Sequence, residues 1–307
     1  MALATFTDIA ARNDSDAVVG LIDEASRVHP ELAHILVRPI KGYSYKTRVR
    51  TANPTAAFRA AGAGIAATRG TYENRTVETF ILNPRWEADK AVADANEDGP
   101  EVYIFEEATG LVNAAFAHAA AQMYYGNDET TGNDTAGFPG LIASVTAGMT
   151  LDAGGTTAAT GSSVWGLATG VKGVNFVLGA EGKLDVTDVR VETITGSNDE
   201  SLTGYVQELL CNVGLQVGNL NGVGRIRDLT ADAGKGLTDD LLADFLALFP
   251  IGNKPDMLLM SRRSRAQLQK SRTATTESGR AAATPVDFEG IPIYASDSLS
   301  DTEALSA

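Results

Sequence analysis

An α+β protein is predicted for this 307-residue chain, and three observations predict it. A glycine-centred pair of period-two stretches spans residues 41–85, one long helical repeat spans about 101–126, and a β-rich middle gives way to an α/β end. Hydrophobic residues make up 44% of the chain and charged residues 21%, ordinary values for a globular protein with ample length for a core.

Residues 1–40 read as an N-terminal arm with helical pieces. Leu21, Ile22, Ala25 and Val28 sit at helical spacing, Pro30 interrupts, and Leu32, Ile35 and Leu36 follow. The stripe is thin, so the arm is expected to lie against another surface. From Lys41 the pattern changes. Tyr43, Tyr45, Thr47, Val49 and Thr51 alternate with Lys46, Arg48 and Arg50, placing β-formers on one face and cations on the other. A tip with Gly62, Gly64 and Gly70 follows, and a return strand is expected from Tyr72 to Leu82. Residues 41–85 hold eight basic and two acidic residues, a net +6, so the rest of a chain of net charge −14 carries −20. An isolated hairpin is marginal in water, so this one needs a partner surface.

A short charged helix is expected from Trp86 to Ala95. Asp98-Gly99-Pro100 then punctuates the start of the longest helical signal, with Ile104, Ala108, Leu111, Val112, Ala115, Phe116, Ala119 and Met123 at spacings of three and four. Gly126 ends it. Residues 127–162 are loop-rich around Phe138-Pro139-Gly140-Leu141-Ile142. Strands are expected at 163–169, 175–178, within 184–195, and over 204–217. Thr238 caps a helix running to Phe249, Asp256 to Met260 forms a short strand, Arg262 to Arg272 a basic helix, and Phe288 to Ile293 an edge strand carrying Pro292.

The same residues exclude most chemistries. Cys211 is the only cysteine, so no intrachain disulfide and no cysteine zinc site is possible. His29, His34 and His118 make no zinc motif, and no metal or cofactor site is expected. Glu106 and Glu107 are adjacent and point apart, as helix charges do. Gly62-Ala63-Gly64 sits at a hairpin tip without the unit that a dinucleotide fingerprint needs, and neither a phosphate loop nor Gly-x-Ser-x-Gly occurs. The opening residues lack a signal-peptide pattern, and no apolar run is long enough to cross a membrane, so a chain that is cytosolic where it is made is expected. A net charge of −14 argues against nucleic acid as the main partner. No enzyme activity is expected.

The order of these parts resembles the major capsid proteins of tailed bacteriophages, with the Hong Kong 97-like fold. Short stretches carry the likeness further: Gly137-Phe138-Pro139-Gly140-Leu141, Ser163-Val164-Trp165-Gly166-Leu167, Met260-Ser261-Arg262-Arg263, and Phe288-Glu289-Gly290-Ile291-Pro292-Ile293 followed by Ser296-Asp297-Ser298-Leu299. The resemblance implies an N-terminal arm at 1–40 and an extended E-loop at 41–85. It implies a peripheral (P) domain at 86–131 and 163–230 that contains a spine helix, and an axial (A) domain at 132–162 and 231–307. It implies an icosahedral virion shell of hexamers and pentamers around double-stranded DNA, assembled in the host cytoplasm. A separate scaffolding protein, a portal and a decoration protein would be the partners, and the early E-loop matches relatives with separate scaffolds. Lys46, Arg48, Arg50, Arg59, Arg69 and Arg75 would be the E-loop residues between subunits. Lys46 is the E-loop lysine that cross-linking relatives would use, but no motif identifies its partner, so that chemistry is not carried over. Two other readings remain at this point: an encapsulin-type nanocompartment shell, and a nucleic-acid-binding protein that uses the 41–85 hairpin as its arm.

Overall fold

The computed structural model describes Thr5 and residues 29–305, apart from Ser197, Leu220 and residues 275–279. The helical pieces expected at Leu21, Ile22, Ala25 and Val28 lie outside the described residues. A short helix, Pro30–His34, leads into β1 (Val37–Pro39). The hairpin is β2 (Ser44–Ala52) and β3 (Thr71–Glu78), with residues 53–70 as its tip.

The return strand expected to run to Leu82 breaks at Thr79, whose amide and hydroxyl both donate to the Tyr43 carbonyl at 2.8 and 3.0 Å. Beyond that break β4 (Phe80–Leu82) and β5 (Arg85–Asp89) join a different sheet. The helix expected from Trp86 is therefore a strand as far as Asp89. Its residues pair with Gly204–Glu208, and helix begins only at Lys90–Asp94, where Asp89 accepts from the Ala91 amide at 2.9 Å.

The long helix runs Pro100–Tyr125, roughly 39 Å at 1.5 Å per residue. Gly99 precedes it at φ 91°, and Pro100 occupies the first turn, where its missing N–H has no intrahelical partner to lose. Its C-terminal half is buried through Leu111, Val112, Ala115, Phe116, Ala119, Met123 and Tyr124, while its first turns are largely exposed. Gly126 ends it at φ 73° and meets Gly140, just before the short helix Leu141–Ser144. A Cβ on Gly140 would lie 2.4 Å from the Gly126 nitrogen and 2.8 Å from its Cα. Backbone cannot yield as a side chain can. Gly140→Ala is expected to lower unfolding free energy by about 3 kcal/mol in urea titration, the upper part of the overpacking range. A loss under about 1 kcal/mol would show that this crossing relaxes.

The middle of the chain supplies β6 (Thr150–Asp152), β7 (Ser162–Leu167), β8 (Val174–Leu178), β9 (Leu184–Val186), β10 (Arg190–Thr195) and the 17-residue β11 (Ser201–Val217). A strand with no sequence expectation follows, β12 (Val223–Leu229). Then come the helix Asp239–Ala247, β13 (Met257–Met260), the helix Arg262–Ala274, β14 (Asp287–Phe288) and β15 (Ile291–Ala295). Thr238 caps the first of these helices through the Leu241 amide at 3.2 Å, as its position suggests.

Strand β11 organises a seven-stranded sheet. One of its edges pairs with β5 and then β4, the other with β10, β9 and β8, and β1 extends β8 in parallel. The second sheet is six-stranded, ordered β14-β15-β13-β7-β12-β6. Strand β15 is not at the edge, because a turn at Glu289 and Gly290, both with positive φ, folds β14 back over Ile291 and Pro292.

β7 and β13 are buried on both faces, so their sequences read as unbroken apolar runs rather than alternating ones. Trp165, Leu167, Met257 and Leu259 face a core shared with the long helix and β11. Val164, Leu258 and Met260 face a second core with Leu242, Phe245, Phe249 and Leu268. Gly166 and Gly224, paired across β7 and β12, make room for the edge-to-face Phe245–Phe249 pair. A Cβ on Gly224 would come within 2.6 Å of Phe249 and 2.8 Å of Phe245.

Two buried polar clusters tie the chain's extremities to this body. The Glu31 carboxylate accepts from the Ser296 hydroxyl at 2.9 Å, His29 bonds to Ser298 at 3.0 Å, and burial pushes the Glu31 carboxyl above its ordinary value. Near the C-terminus, Glu303 accepts from Ser163 at 2.5 Å, from Arg225 at 3.1 Å and from Tyr125 at 2.8 Å. Its backbone also bridges Gly161. Burial, and then the Glu303 charge, push the Tyr125 phenol well up.

Candidate assembly surface

The hairpin stem adopts the alternation read from its sequence. Tyr45 pairs with Val77, Thr47 with Arg75 and Val49 with Glu73, and Val49 and Val77 are buried. Tyr45 donates to Gln216 on β11 and lies under the Arg38 guanidinium, 4.5 Å from ring centre. The base of the stem crosses β11 where a Cβ on Gly214 would lie 2.3 Å from the Glu78 carbonyl. From there the stem runs past Gly218. Thr47, Arg48 and Arg50 to Asn53 line an open groove of about 540 Å³ with Lys172, Gly218, Asn219 and Asn221.

The face of the stem that carries Lys46, Arg48 and Arg50 is exposed and cationic. Lys46, Arg48 and Arg50 project from β2 beside Thr76, Asn74 and Tyr72. The Tyr72 ring sits 5.7 Å from Arg48 and 5.2 Å from Arg50, and Arg50 also donates to the Tyr72 hydroxyl at 2.7 Å. Arg69 lines the same hollow as Arg48 and Tyr72. Arg59 is in the tip, donating to the Ala63 carbonyl at 2.7 Å, and next to it Phe58 is fully exposed. Arg75 is set apart from these, on the body side of β3, 3.6 Å from Glu73. The structure thus gathers Arg48, Arg50 and Arg69 about Tyr72, keeps Lys46 on the same face of β2 and places Arg59 farther along the tip.

Other charged groups singled out from the sequence are engaged within the chain. Arg262, Arg263 and Arg272 of the basic helix pair with Asp297, Asp301 and Asp239 at 2.9, 3.3 and 2.7 Å. His34 stacks on Tyr294 at 4.2 Å, and His118 meets Asp134 at 3.1 Å. Burial lifts the Cys211 thiol to about 12, which leaves it protonated and inert. Among the described residues, no three His, Cys, Asp or Glu are placed to hold a metal ion. No described helix is long and apolar enough to cross a membrane.

The fold built from this stem, the long helix and the two sheets is similar to solved structures. A chain of the bacteriophage Epsilon15 structure superposes with a TM-score of 0.65 at 19% identity, covering 90% of this chain and 89% of that one. A chain of the bacteriophage JBD30 procapsid matches at 13% identity over 93% and 100% of the two chains, with a TM-score of 0.42. The holo-SrpI encapsulin complex from Synechococcus elongatus PCC 7942 matches at 9% identity over 66% and 88%, also at 0.42. No curated protein matches this chain. The Epsilon15 likeness shows the fold, an α+β architecture of the Hong Kong 97-like kind. The particular family follows from a match over residues 35–307, and the chain belongs to it: Major capsid protein GP7.

The chain is therefore a structural subunit of a bacteriophage capsid shell, assembles with copies of itself, and resides in the virion. The family match, rather than the encapsulin likeness, decides between viral shell and nanocompartment.

Proposed function

We propose that copies of this chain close as hexamers and pentamers into an icosahedral shell around double-stranded DNA, with residues 41–85 acting as the E-loop between neighbours. The observation that carries this reading is the stem. Its apolar face is seated on the subunit's own β11, and its cations Lys46, Arg48 and Arg50 are turned outward from a body that is strongly acidic. The remainder of the chain carries −20 against the +6 of residues 41–85, so a second copy offers the complementary surface. Lys46, Arg48, Arg50, Arg59 and Arg69 are the inter-subunit cations. Arg75, facing inward beside Glu73, supports the stem.

The two sheets support a division of the body. The seven-stranded sheet with the spine helix Pro100–Tyr125 is the peripheral part. The six-stranded sheet with its two helices is the axial part, and β7 and β12 of the 163–230 block fall on the axial side. The subunit works by assembly and has no catalytic role. A scaffolding protein, a portal and a decoration protein, met in the host cytoplasm, are the further partners that the capsid resemblance supplies. Electron microscopy and light scattering of the purified full chain test the reading: hollow megadalton particles are expected. A monomer or dimer that persists under all conditions would sink it.

A further inference from the structure

The outer half of the hairpin stem stands off the body across a groove, and the charges on the groove's walls are all of one sign. The near end of the stem is tied down. Tyr45 donates to Gln216, and Gln216 donates to the Val171 carbonyl at 3.4 Å. Beyond that point, among the described residues, no hydrogen bond or ion pair joins residues 47–53 to the facing turns at 170–173 and 218–221. The open space is about 540 Å³, within the range of small-ligand sites. Arg48 and Arg50 line it from the stem and Lys172 from the body, with Asn219 and Asn221 beside them, and no carboxylate lines it. The adjoining hollow adds Arg69 and again holds no carboxylate. The chain has 39 acidic residues against 25 basic, so a space lined by cations alone runs against its composition.

Backbone holds both walls in place. The turn that carries Lys172 closes through the Gly173 amide on the Gly170 carbonyl at 2.9 Å, and the Gly218 amide donates to the Gly173 carbonyl at 3.1 Å. On the stem, the register between β2 and β3 shifts between Arg50 and Ala52, a bulge of the kind that re-aims side chains. Arg50 is steadied by Asn53 at 3.2 Å and by the Tyr72 hydroxyl at 2.7 Å. Arg48, Arg50 and Lys172 make no ion pair among the described residues, whereas Arg85, Arg190, Arg225 and Arg227 all do. Cations facing one another across a gap repel unless an anion stands between them.

We propose that this groove is a binding site for a short oligophosphate, free or as the phosphate chain of a nucleotide, which bridges Arg48 and Arg50 of the stem to Lys172 of the body. Guanidinium groups take phosphate oxygens in paired hydrogen bonds, and an ammonium takes them as a point charge. The Asn221 amide, exposed at the rim, adds a neutral donor. One phosphate group carries about −1.5 to −2 at neutral pH, short of the three positive charges, so a chain of two or three phosphates matches better. The site is complete within one subunit. Its consequence for assembly rests on the reading of residues 41–85 as the arm between neighbours. An occupied groove holds Arg48 and Arg50 away from a second copy's carboxylates, so oligophosphate and neighbour compete.

Equilibrium dialysis of the full chain against radiolabelled tripolyphosphate tests the site. One tripolyphosphate per chain is expected, and Lys172→Ala should weaken binding about tenfold or more, as loss of a charge-assisted contact does. Lys270→Ala removes an exposed cation elsewhere and should leave binding unchanged. Absence of binding would overturn the site. Equal weakening by the two variants would also overturn it, by showing attraction to net charge alone. Adenosine triphosphate in the same dialysis separates the sources: affinity no tighter than that of tripolyphosphate assigns the groove to the phosphate chain alone, and tighter binding assigns it to a nucleotide. Competition has its own readout. Tripolyphosphate should raise the chain concentration needed for particle formation about tenfold in the wild type and much less in Lys172→Ala. An equal rise in both would overturn the competition. A wild-type chain that never forms particles would overturn the shell reading, while the dialysis still decides the site.

Discussion

Reversal of charge at Arg48 and Arg50, both to glutamate, is expected to raise the concentration needed for particle formation by roughly a hundredfold while leaving the monomer folded. The folded monomer is spared because both side chains project from the exposed face of β2, and their contacts with Tyr72 and Asn53 are at the surface. Assembly is hit because the arm falls from +6 to +2 while the body it meets stays acidic. Juxtaposed like charges at an interface cost several kcal/mol, and about 3 kcal/mol per contact gives the hundredfold. Circular dichroism and thermal melting should match wild type, and light scattering across a concentration series should shift. Wild-type assembly should also slow as salt screens the same charges, since encounter is steered over a Debye length of about 8 Å at physiological ionic strength. Normal particles from the double variant at wild-type concentrations would defeat the electrostatic account.

Glu303→Ala is expected to destabilise the subunit by about 3–5 kcal/mol, a buried-charge effect rather than a lost surface bridge. The Arg225 and Glu303 side chains are only 12% and 7% exposed and lie 3.1 Å apart. Removing the carboxylate strands the guanidinium over Trp165, 5.4 Å from ring centre, with only Ser163 left to accept from it in this cluster. It also takes away the Tyr125 and Ser163 acceptor. Replacing both ion-pair partners, Arg225→Met with Glu303→Leu, should recover most of the loss, because neither leaves a charge behind. Urea unfolding of the two variants separates the cases. A single variant no less stable than the double one would show that desolvated charge is not the cause.

Much of this architecture is legible in the sequence where it depends on periodicity. The stem of the hairpin and the spine helix have long, clean repeats, and their ends carry Gly99-Pro100 and Gly126 as markers. What escapes is set by contacts far along the chain. Arg85-Trp86-Glu87-Ala88-Asp89 reads as a charged helix start, yet it is strand because β11 offers it a free edge over a hundred residues later. β12 escapes because Arg225 and Arg227 break its apolar alternation. Arg225 is tolerated inside only through Glu303, and Arg227 pairs with Asp152 on the neighbouring β6. The bend at Thr79 depends on the Tyr43 carbonyl, which no local pattern announces. For the candidate surface, the run of cations is visible from alternation alone. That Arg75 faces the other way follows from the Thr47–Arg75 register, which the sequence leaves open.

The way the stem is seated has a bearing on how strongly neighbours need to grip one another. A connector that ordered only on arrival would lose conformational entropy with each contact, about 1–2 kcal/mol for every backbone residue fixed. Here Tyr45, Val49 and Val77 already hold the stem against the subunit's own sheet, so that entropy is lost once, during folding. If residues 41–85 reach a neighbour as proposed, each subunit brings a preorganised lever to the encounter, and the interface need only hold its end. Contacts of modest individual strength then suffice to build a shell, and modest contacts are those that can open again and correct a misplaced subunit before the shell closes.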